Sequence, residues 1–203
     1  VLPVDRLVPA LSDRGINTLV DGAHAPGMLP LDLRALNAAY YTGNCHKWMC
    51  APKGAAFLSV REDLRESIHP LSISHGANAP LNDRSRFRVE FDWTGTWDPT
   101  PYLSVPEAIR AIGAMDPGGW DAVRTSNHQK VLAARDTLCD ALGMEHPAPD
   151  DMLGSLATVP LPERALDAEF LWSRMYDEFR VQVPLIEWPV GAPRRWVRLS
   201  AYL

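Results

Sequence analysis

The stretches DGAH at residues 21–24 and GNCHKWMCAPKG at residues 43–54 decide how this chain folds. Each follows a short apolar segment, residues 17–20 in the first case and residues 39–42 in the second, that is typical of a β-strand. Short strands that alternate with short helices predict an α/β layered sheet. Ligands of such sheets bind beyond the carboxyl ends of the strands, which is where both motifs are expected to lie.

Asp21 and Lys47 are the two side chains of these motifs that predict a cofactor. Pyridoxal phosphate (PLP) requires a lysine amine that holds its aldehyde as a Schiff base, and a carboxylate that keeps its ring nitrogen protonated so that the ring absorbs electrons. The apolar residues after Lys47 predict that this lysine is buried, and burial favours the uncharged amine that reacts with an aldehyde. A solvated surface lysine and a simple Asp-Gly turn are the alternative interpretations.

Length and composition indicate a globular protein. The chain has 203 residues, of which 46% are hydrophobic and 22% are charged, values that are ordinary for such proteins. A net charge of -5 and the lack of a basic run interleaved with aromatic residues argue against nucleic acid as a partner. No apolar stretch approaches the roughly 20 residues needed to cross a membrane. Three cysteines without metal-ligand spacing favour a reducing, cytoplasmic setting and predict no metal site.

Hydrophobic periodicity predicts the remaining elements. Residues 67–100 have the composition of a long loop, and Ser104 and Glu107 have the spacing of a capping box at a helix start. An almost continuously apolar strand at residues 55–60 is predicted to be covered on both faces. Gly143 is expected to end a long helix. The other predicted helices are residues 5–13, 31–39, 120–142 and 165–179, and the other predicted strands are residues 155–161, 181–188 and 195–202.

The two motifs together resemble the class V aminotransferase family, which belongs to fold type I of the PLP enzymes. The string at residues 43–54 is most similar to the isopenicillin N epimerase-like branch. The resemblance runs over essentially the whole chain but covers only part of a complete subunit, so we expect an internal fragment of a longer protein. It implies that residues 1–115 are the C-terminal part of a three-layer α/β/α large domain with a mostly parallel sheet. Residues 116–203 are then an interdomain helix and an incomplete small α+β domain.

The resemblance also implies roles for five residues of the two motifs. Lys47 is implied to form the Schiff base with PLP, the internal aldimine, and to transfer protons once substrate has displaced it. Asp21 is implied to bind the pyridine nitrogen, and His24 the phenolic oxygen. His46 is implied to lie near the phosphate. Asn44 stands where many relatives carry a serine that touches the phosphate, and an amide can donate the same hydrogen bond.

Two further residues complete the implied site. Thr96, in the Thr-Gly-Thr loop at residues 94–96, is implied to contact the phosphate of the neighbouring subunit, because glycine permits a close backbone approach to an anion. The functional unit is then a homodimer. Arg198 is implied to clamp the α-carboxylate of an amino acid substrate with its planar guanidinium. A plain loop threonine and an exposed edge arginine are the alternatives.

Several reactions stay open at this point. PLP labilises bonds at the α-carbon of an amino acid, so epimerisation, amino transfer and lyase cleavage are all compatible with the motifs. A carbon–sulfur lyase of the ergothioneine-pathway kind is an alternative, and so is a catalytically inactive fragment or dimer partner. A cysteine desulfurase is disfavoured because no cysteine follows Cys139. Cys45 and Cys50 are expected to be small buried hydrophobic residues.

The chain by itself is expected to bind PLP poorly. In relatives an earlier segment supplies the residue that stacks on the ring and the main loop around the phosphate. A multiply charged anion is held weakly without those donors. The resemblance therefore implies that the 203 residues alone turn over no substrate.

Overall fold

The computed structural model describes residues 1–162, 168–191 and 194–202. The chain divides into two compact units, one of residues 3–112 and the other of residues 113–203 together with Val1 and Leu2. The division lies close to the boundary predicted between residues 115 and 116. The assignment of the two units to a large and a small domain stays a prediction.

The first unit begins with the alternation of helices and strands that the sequence predicts. The helix predicted at residues 31–39 is shorter than expected, because Asn37 adopts a left-handed conformation with φ of 50° and ends it. At its start the Asp32 carboxylate accepts hydrogen bonds from the backbone amides of Arg34 and Ala35. The elements are α1 (Val4–Ser12), β1 (Leu19–Asp21), α2 (Leu33–Leu36), β2 (Tyr40–Asn44) and β3 (Ala56–Val60).

These three strands form a mixed sheet in which β2 is central. β1 pairs with β2 in parallel, and β3 pairs with β2 in the antiparallel sense. The prediction that residues 55–60 are covered on both faces is wrong for this chain: Ala56 is exposed and Leu58 is 40% exposed. An antiparallel strand commonly has one face on the core and the other in solvent. The apolar composition of residues 55–60 therefore did not determine how many faces of β3 are buried.

The segment at residues 67–100 contains more structure than the loop that its composition predicts. A short helix, α3 (Arg86–Phe91), is capped by the Ser85 hydroxyl, which accepts a hydrogen bond from the backbone amide of Arg88 at 3.2 Å. A helix of six residues is too short to give a clear apolar periodicity. Two 3-10 helices, Glu62–Ser67 and His75–Ala77, lie before it.

The capping box predicted at Ser104 is wrong. Ser104 is itself in a right-handed helical conformation, between α4 (Thr100–Leu103) and α5 (Val105–Gly113). Its hydroxyl donates to the backbone oxygen of Thr100 at 2.7 Å instead of capping α5. The Glu107 carboxylate accepts from the Arg110 guanidinium at 2.8 Å. The preceding helix, which the sequence did not predict, makes the cap unnecessary.

The second unit consists of a long helix and an antiparallel sheet. Gly143 ends α6 (Gly119–Leu142) with φ of 63°, as predicted. The sheet has the order β4-β6-β5, and its middle strand packs Val197 against Cys139 of α6. The predicted helix start at residue 165 lies outside the described residues. The remaining elements are β4 (Leu156–Pro160), α7 (Ala168–Phe179), β5 (Leu185–Glu187) and β6 (Arg195–Ser200).

The buried face of α6 is partly polar. Its buried residues recur every four positions and include Arg135, which is 1% exposed, beside Val131 and Cys139. The guanidinium of Arg135 is paired with Asp136 at 2.8 Å and with Asp150 at 2.7 Å, which compensates its burial. Within the part of the chain that the structure describes, α6 and the other helices are too short or too polar to cross a membrane.

Candidate functional site

Parallel pairing of β1 and β2 brings the two sequence motifs to one edge of the sheet. Asp21, the last residue of β1, is aligned with Thr42, and the backbone amide of Gly22 donates to the Thr42 oxygen at 2.9 Å. β2 ends at Asn44, and Lys47 follows in a turn closed by a 3.1 Å bond from the Cys50 amide to the Lys47 oxygen. Asp21 and Lys47 therefore lie at or just beyond the carboxyl ends of neighbouring strands.

Three contacts fasten the loop after β1 to the end of β2 and the lysine turn. The indole nitrogen of Trp48 donates to Nδ1 of His24 at 3.2 Å. Gly27, with φ of 82°, packs against the backbone of Trp48. An added Cβ at Gly27 would lie 2.8 Å from the backbone carbon and oxygen of Trp48. An added Cβ at Gly43 would stand 2.8 Å from Cγ of Pro26. The two glycines thus permit the approach of the two loops.

Asp21 has a polar, open environment with one buried aromatic neighbour. Its side chain is exposed, and Oδ1 accepts from the backbone amide of Ala23 at 3.0 Å. Burial of Tyr41, and secondly the negative charge of Asp21, raise the pKa of the Tyr41 hydroxyl. Tyr41 is therefore a neutral phenol near the carboxylate. The Tyr41 hydroxyl also fills the space in which a Cβ at Gly22 would stand.

Lys47 is half-buried, which is less than the sequence predicts. The burial of the following residues is uneven, because Trp48 is 8% exposed whereas Cys50 is exposed with φ of 55°. The left-handed conformation of Cys50 turns the chain back and ends the apolar run. The prediction of a buried Cys50 is wrong, but Cys45 is 5% exposed, and its burial raises the pKa of the thiol.

His46 and Asn44 lie beside the lysine turn. The backbone amide of His46 and its ring atom Nδ1 both approach the Ala55 oxygen, at 3.2 Å and 2.9 Å. A carbonyl oxygen only accepts, so Nδ1 of His46 carries a proton. Asn44 is half-buried and pairs with Ala56 in the ladder between β2 and β3. The structure therefore groups Asp21, His24, Asn44, His46 and Lys47 at one edge of the first unit.

Thr96 lies in the same unit and lines a cavity whose lining includes none of the other predicted site residues. It is exposed in the loop after α3, next to Gly95, whose φ of 128° requires glycine. The cavity has a volume of about 340 Å³ and is lined by Ser74, His75, Asn78, Trp93, Gly95 and Thr96. Its polar lining includes the Ser-His pair that precedes Gly76 in the sequence.

Arg198 belongs to the second unit. It lies on β6 opposite Thr158, and its backbone amide donates to the Pro184 oxygen at 3.0 Å. Nε of its guanidinium is buried and has no hydrogen-bond partner among the described residues. A buried donor without an acceptor lowers the stability of the fold, and a carboxylate is the acceptor that a guanidinium binds best.

Comparison with known proteins gives the family. The model of the class V aminotransferases matches residues 1–166. The chain belongs to the class V aminotransferase family. This membership confirms the resemblance that the motifs at residues 21–24 and 43–54 indicate. Among the described residues no cluster of His, Cys, Asp or Glu could hold a metal ion.

Two curated relatives and one solved structure resemble this class V chain. Isopenicillin N epimerase of Amycolatopsis lactamdurans is 35% identical over 202 residues, which are 94% of this chain and 50% of the relative. Putative L-cysteine desulfhydrase 1 of Oryza sativa subsp. japonica is 32% identical over 195 residues, which are 91% of this chain and 39% of the relative. The structure of a C-DES variant with glycine covalently linked to its PLP cofactor has a TM-score of 0.71 at 22% identity, and covers 100% of this chain and 52% of that chain.

These likenesses confirm the α/β fold class of a fold type I PLP enzyme. The chain spans about half the length, or less, of the curated relatives it matches. The residues at the sheet edge fit PLP, because parallel pairing of β1 with β2 brings a residue with a carboxylate, a residue with an amine and an imidazole to the same end of two neighbouring strands. Sequence reasoning missed Trp48 and Tyr41 as parts of the site, and their apolar character gave no signal of a polar contact.

Proposed function

We propose that the protein containing this chain is a PLP-dependent enzyme that acts at the α-carbon of an amino acid, by epimerisation, amino transfer or lyase cleavage. The observation that carries the proposal is the parallel alignment of β1 with β2, which delivers Asp21 and the Lys47 turn to one sheet edge. Family membership supports it independently. When bound, PLP supplies an electron sink for the bond that breaks at the α-carbon.

The residues of the chain act by binding, orienting and moving protons. Lys47 would hold the cofactor covalently through its Nζ amine, and the same amine, once the substrate has displaced it, would move the proton at the substrate α-carbon. Asp21 keeps a proton on the ring nitrogen, since an anionic neighbour stabilises a cationic pyridinium. Tyr41 is buried near this carboxylate and stays a neutral phenol. Arg198 binds the α-carboxylate of the substrate in a bidentate pair.

The phosphate of PLP would be bound by hydrogen-bond donors at two positions and would lie beside a histidine. Asn44 donates its side-chain amide, and His46 approaches with its second ring nitrogen. Thr96 donates its hydroxyl and serves the site of a second subunit, which makes a homodimer the working unit. Its exposure in a loop next to Gly95 supports this role, because an exposed hydroxyl is accessible to a neighbouring chain. We place the enzyme in the cytoplasm, as the cysteine content favours.

A carbon–sulfur lyase acting on a sulfur-containing amino acid is the second candidate. The relative from Oryza sativa, which is named a putative L-cysteine desulfhydrase, supports it. Sulfide and keto acid release from L-cysteine separates this activity from epimerisation, which changes the chirality of the substrate and releases neither. Amino transfer releases a keto acid without sulfide.

The decisive experiment uses the small number of lysines in the chain. Only three exist, Lys47, Lys53 and Lys130, and of these Lys53 and Lys130 are exposed. The chain is incubated with PLP, reduced with borohydride, digested and mapped by mass spectrometry. Reduction makes the linkage irreversible, so a label accumulates even where the cofactor binds weakly. We expect the phosphopyridoxyl group on Lys47.

Matched variants distinguish labelling at a specific PLP site from labelling that depends only on the chemical reactivity of a lysine. Lys47→Ala should abolish the label, whereas Lys53→Ala should leave it unchanged, because Lys53 lies only six residues away but outside the turn. Asp21→Asn should lower the labelling of Lys47, whereas Asp13→Asn, an exposed aspartate after α1, should not. Equal labelling of all three lysines would contradict the proposal.

A further inference from the structure

The hydrogen bond between Trp48 and His24 determines where the His24 ring carries its proton. The indole N–H of Trp48 can only donate, and it donates to Nδ1 of His24 at 3.2 Å. A ring nitrogen that accepts a hydrogen bond carries no proton, so the neutral imidazole has its proton on Nε2. We propose that Trp48 is a positioning residue that holds His24 in this tautomer, so that Nε2–H donates to the phenolic oxygen of PLP. The role toward PLP rests on the proposed function.

The indole is well placed to act as a fixed donor. Trp48 is 8% exposed, and its backbone carbonyl packs against Gly27 of the His24 loop. The buried ring keeps one orientation, so that little rotational freedom is lost when the hydrogen bond forms. Trp48 also follows Lys47 directly in the sequence, so the same contact ties the amine-bearing turn to the imidazole.

The choice of tautomer matters for the chemistry of an anionic oxygen. The phenolic oxygen of PLP is a hydrogen-bond acceptor, and it is bound by a ring nitrogen that carries a proton. The other neutral tautomer would direct a lone pair at that oxygen and repel it. A protonated ring has no bare nitrogen that could accept from the Trp48 indole.

The second histidine of the site shows the opposite arrangement. Nδ1 of His46 faces the Ala55 carbonyl at 2.9 Å, so this atom is the donor and the neutral ring has a bare Nε2. An indole donor and a carbonyl acceptor thus hold two histidines of one site in opposite tautomers. His24 offers a proton on Nε2, whereas neutral His46 offers a lone pair. His46 can donate to a phosphate oxygen from Nε2 only as the imidazolium.

The test is a nitrogen-15 NMR experiment on the chain labelled at its six histidines, which single substitutions assign. Proton-coupled spectra distinguish protonated from bare ring nitrogens. We expect Nε2 of His24 and Nδ1 of His46 to carry the protons in the same sample. In Trp48→Phe the ratio of Nε2–H to Nδ1–H tautomers of His24 should fall roughly two- to tenfold, which corresponds to the net free energy of one neutral hydrogen bond. The tautomer of His46 should stay unchanged.

Trp196→Phe is the matched control, since this residue of the second unit also donates its indole N–H, to the Trp188 oxygen at 2.9 Å. It should leave both histidines unchanged. A proton on Nδ1 of His24 in the unsubstituted chain would overturn the inference, and this result does not depend on whether Trp48→Phe folds. A folded Trp48→Phe chain with an unaltered His24 tautomer would overturn it as well.

Labelling of Lys47 by PLP and borohydride separates this inference from the function it rests on. If Lys47 is labelled and His24 carries its proton on Nδ1, the role of Trp48 fails while the PLP assignment stands. If His24 has the expected tautomer and Lys47 is not labelled, the PLP assignment fails, and the role of His24 toward the phenolic oxygen fails with it.

Discussion

Gly22→Ala should destabilise the first unit because it overlaps the ring of Tyr41. An added Cβ would lie 2.1 Å from the Tyr41 hydroxyl oxygen, 2.2 Å from Cζ and 2.5 Å from Cε1, whereas non-bonded atoms of this kind prefer about 3.5–4.0 Å. The ring cannot move into solvent easily, since Tyr41 is 3% exposed and stacks on Phe57 with centroids 6.1 Å apart. Gly22 does not have a positive φ, so alanine adds no backbone strain.

Overpacking of this kind costs about 1–3 kcal/mol, and this is the loss that we expect in the free energy of unfolding. A double-mutant cycle assigns the loss to the contact. Tyr41→Leu removes the atoms that overlap the new Cβ, so Gly22→Ala should cost less in the Tyr41→Leu background, by about 1 kcal/mol or more. Urea denaturation followed by fluorescence and circular dichroism measures all four proteins.

Gly54→Ala is the control for this cycle. Gly54 has φ of 96°, but an added Cβ would meet nothing within 4 Å. Its substitution should therefore cost backbone strain alone and show no coupling to Tyr41→Leu. If Gly22→Ala is neutral, or if its cost is the same in both backgrounds, overlap of the added Cβ with Tyr41 is not the cause of the expected loss.

Three further predictions concern single groups. Iodoacetamide should modify exposed Cys50 at least about tenfold faster than Cys45, because burial raises the pKa of the Cys45 thiol and lowers its thiolate fraction; equal rates by mass spectrometry would contradict this. Arg198→Met should not lower the free energy of unfolding, since it removes a buried Nε donor that has no described partner, whereas Arg135→Met should lower it by about 2–4 kcal/mol through the lost ion pairs. Hydrogen bonds from the amide and hydroxyl of Thr100 lower the pKa of Asp98, so its stabilisation is full above the unfolded pKa and is lost as the pH falls through the folded value. The difference in urea midpoint between the unsubstituted chain and Asp98→Asn should therefore be present at neutral pH and vanish in acid, and a difference that persists in acid would refute the assignment.

The sequence predicts the strands around the site because the pattern there is local. Short apolar segments before residues 21 and 45 predict β1 and β2, and the parallel pairing of the two strands then follows from the intervening helix. The end of α6 is predicted for a similar reason, since Gly143 alone can take the left-handed conformation without cost.

The remaining features depend on contacts between residues that are distant in sequence. The burial of Arg135 on α6 is offset by Asp150, fifteen residues later, and no periodicity of α6 indicates such a partner. The exposure of Leu58 depends on which face of β3 other elements cover, which composition does not reveal. The contact of Trp48 with His24 requires two loops to meet, and the glycine that permits it, Gly27, resembles an ordinary turn residue.

The central claim is that Asp21 and Lys47 bind opposite ends of one PLP ring. A crystal structure of the protein after incubation with PLP tests it most directly. We expect continuous electron density between Nζ of Lys47 and the cofactor, with the ring nitrogen about 2.7–2.9 Å from an Asp21 carboxylate oxygen, as in a charge-assisted hydrogen bond. A cofactor bound away from Lys47, or a ring nitrogen facing a group other than Asp21, would contradict the claim.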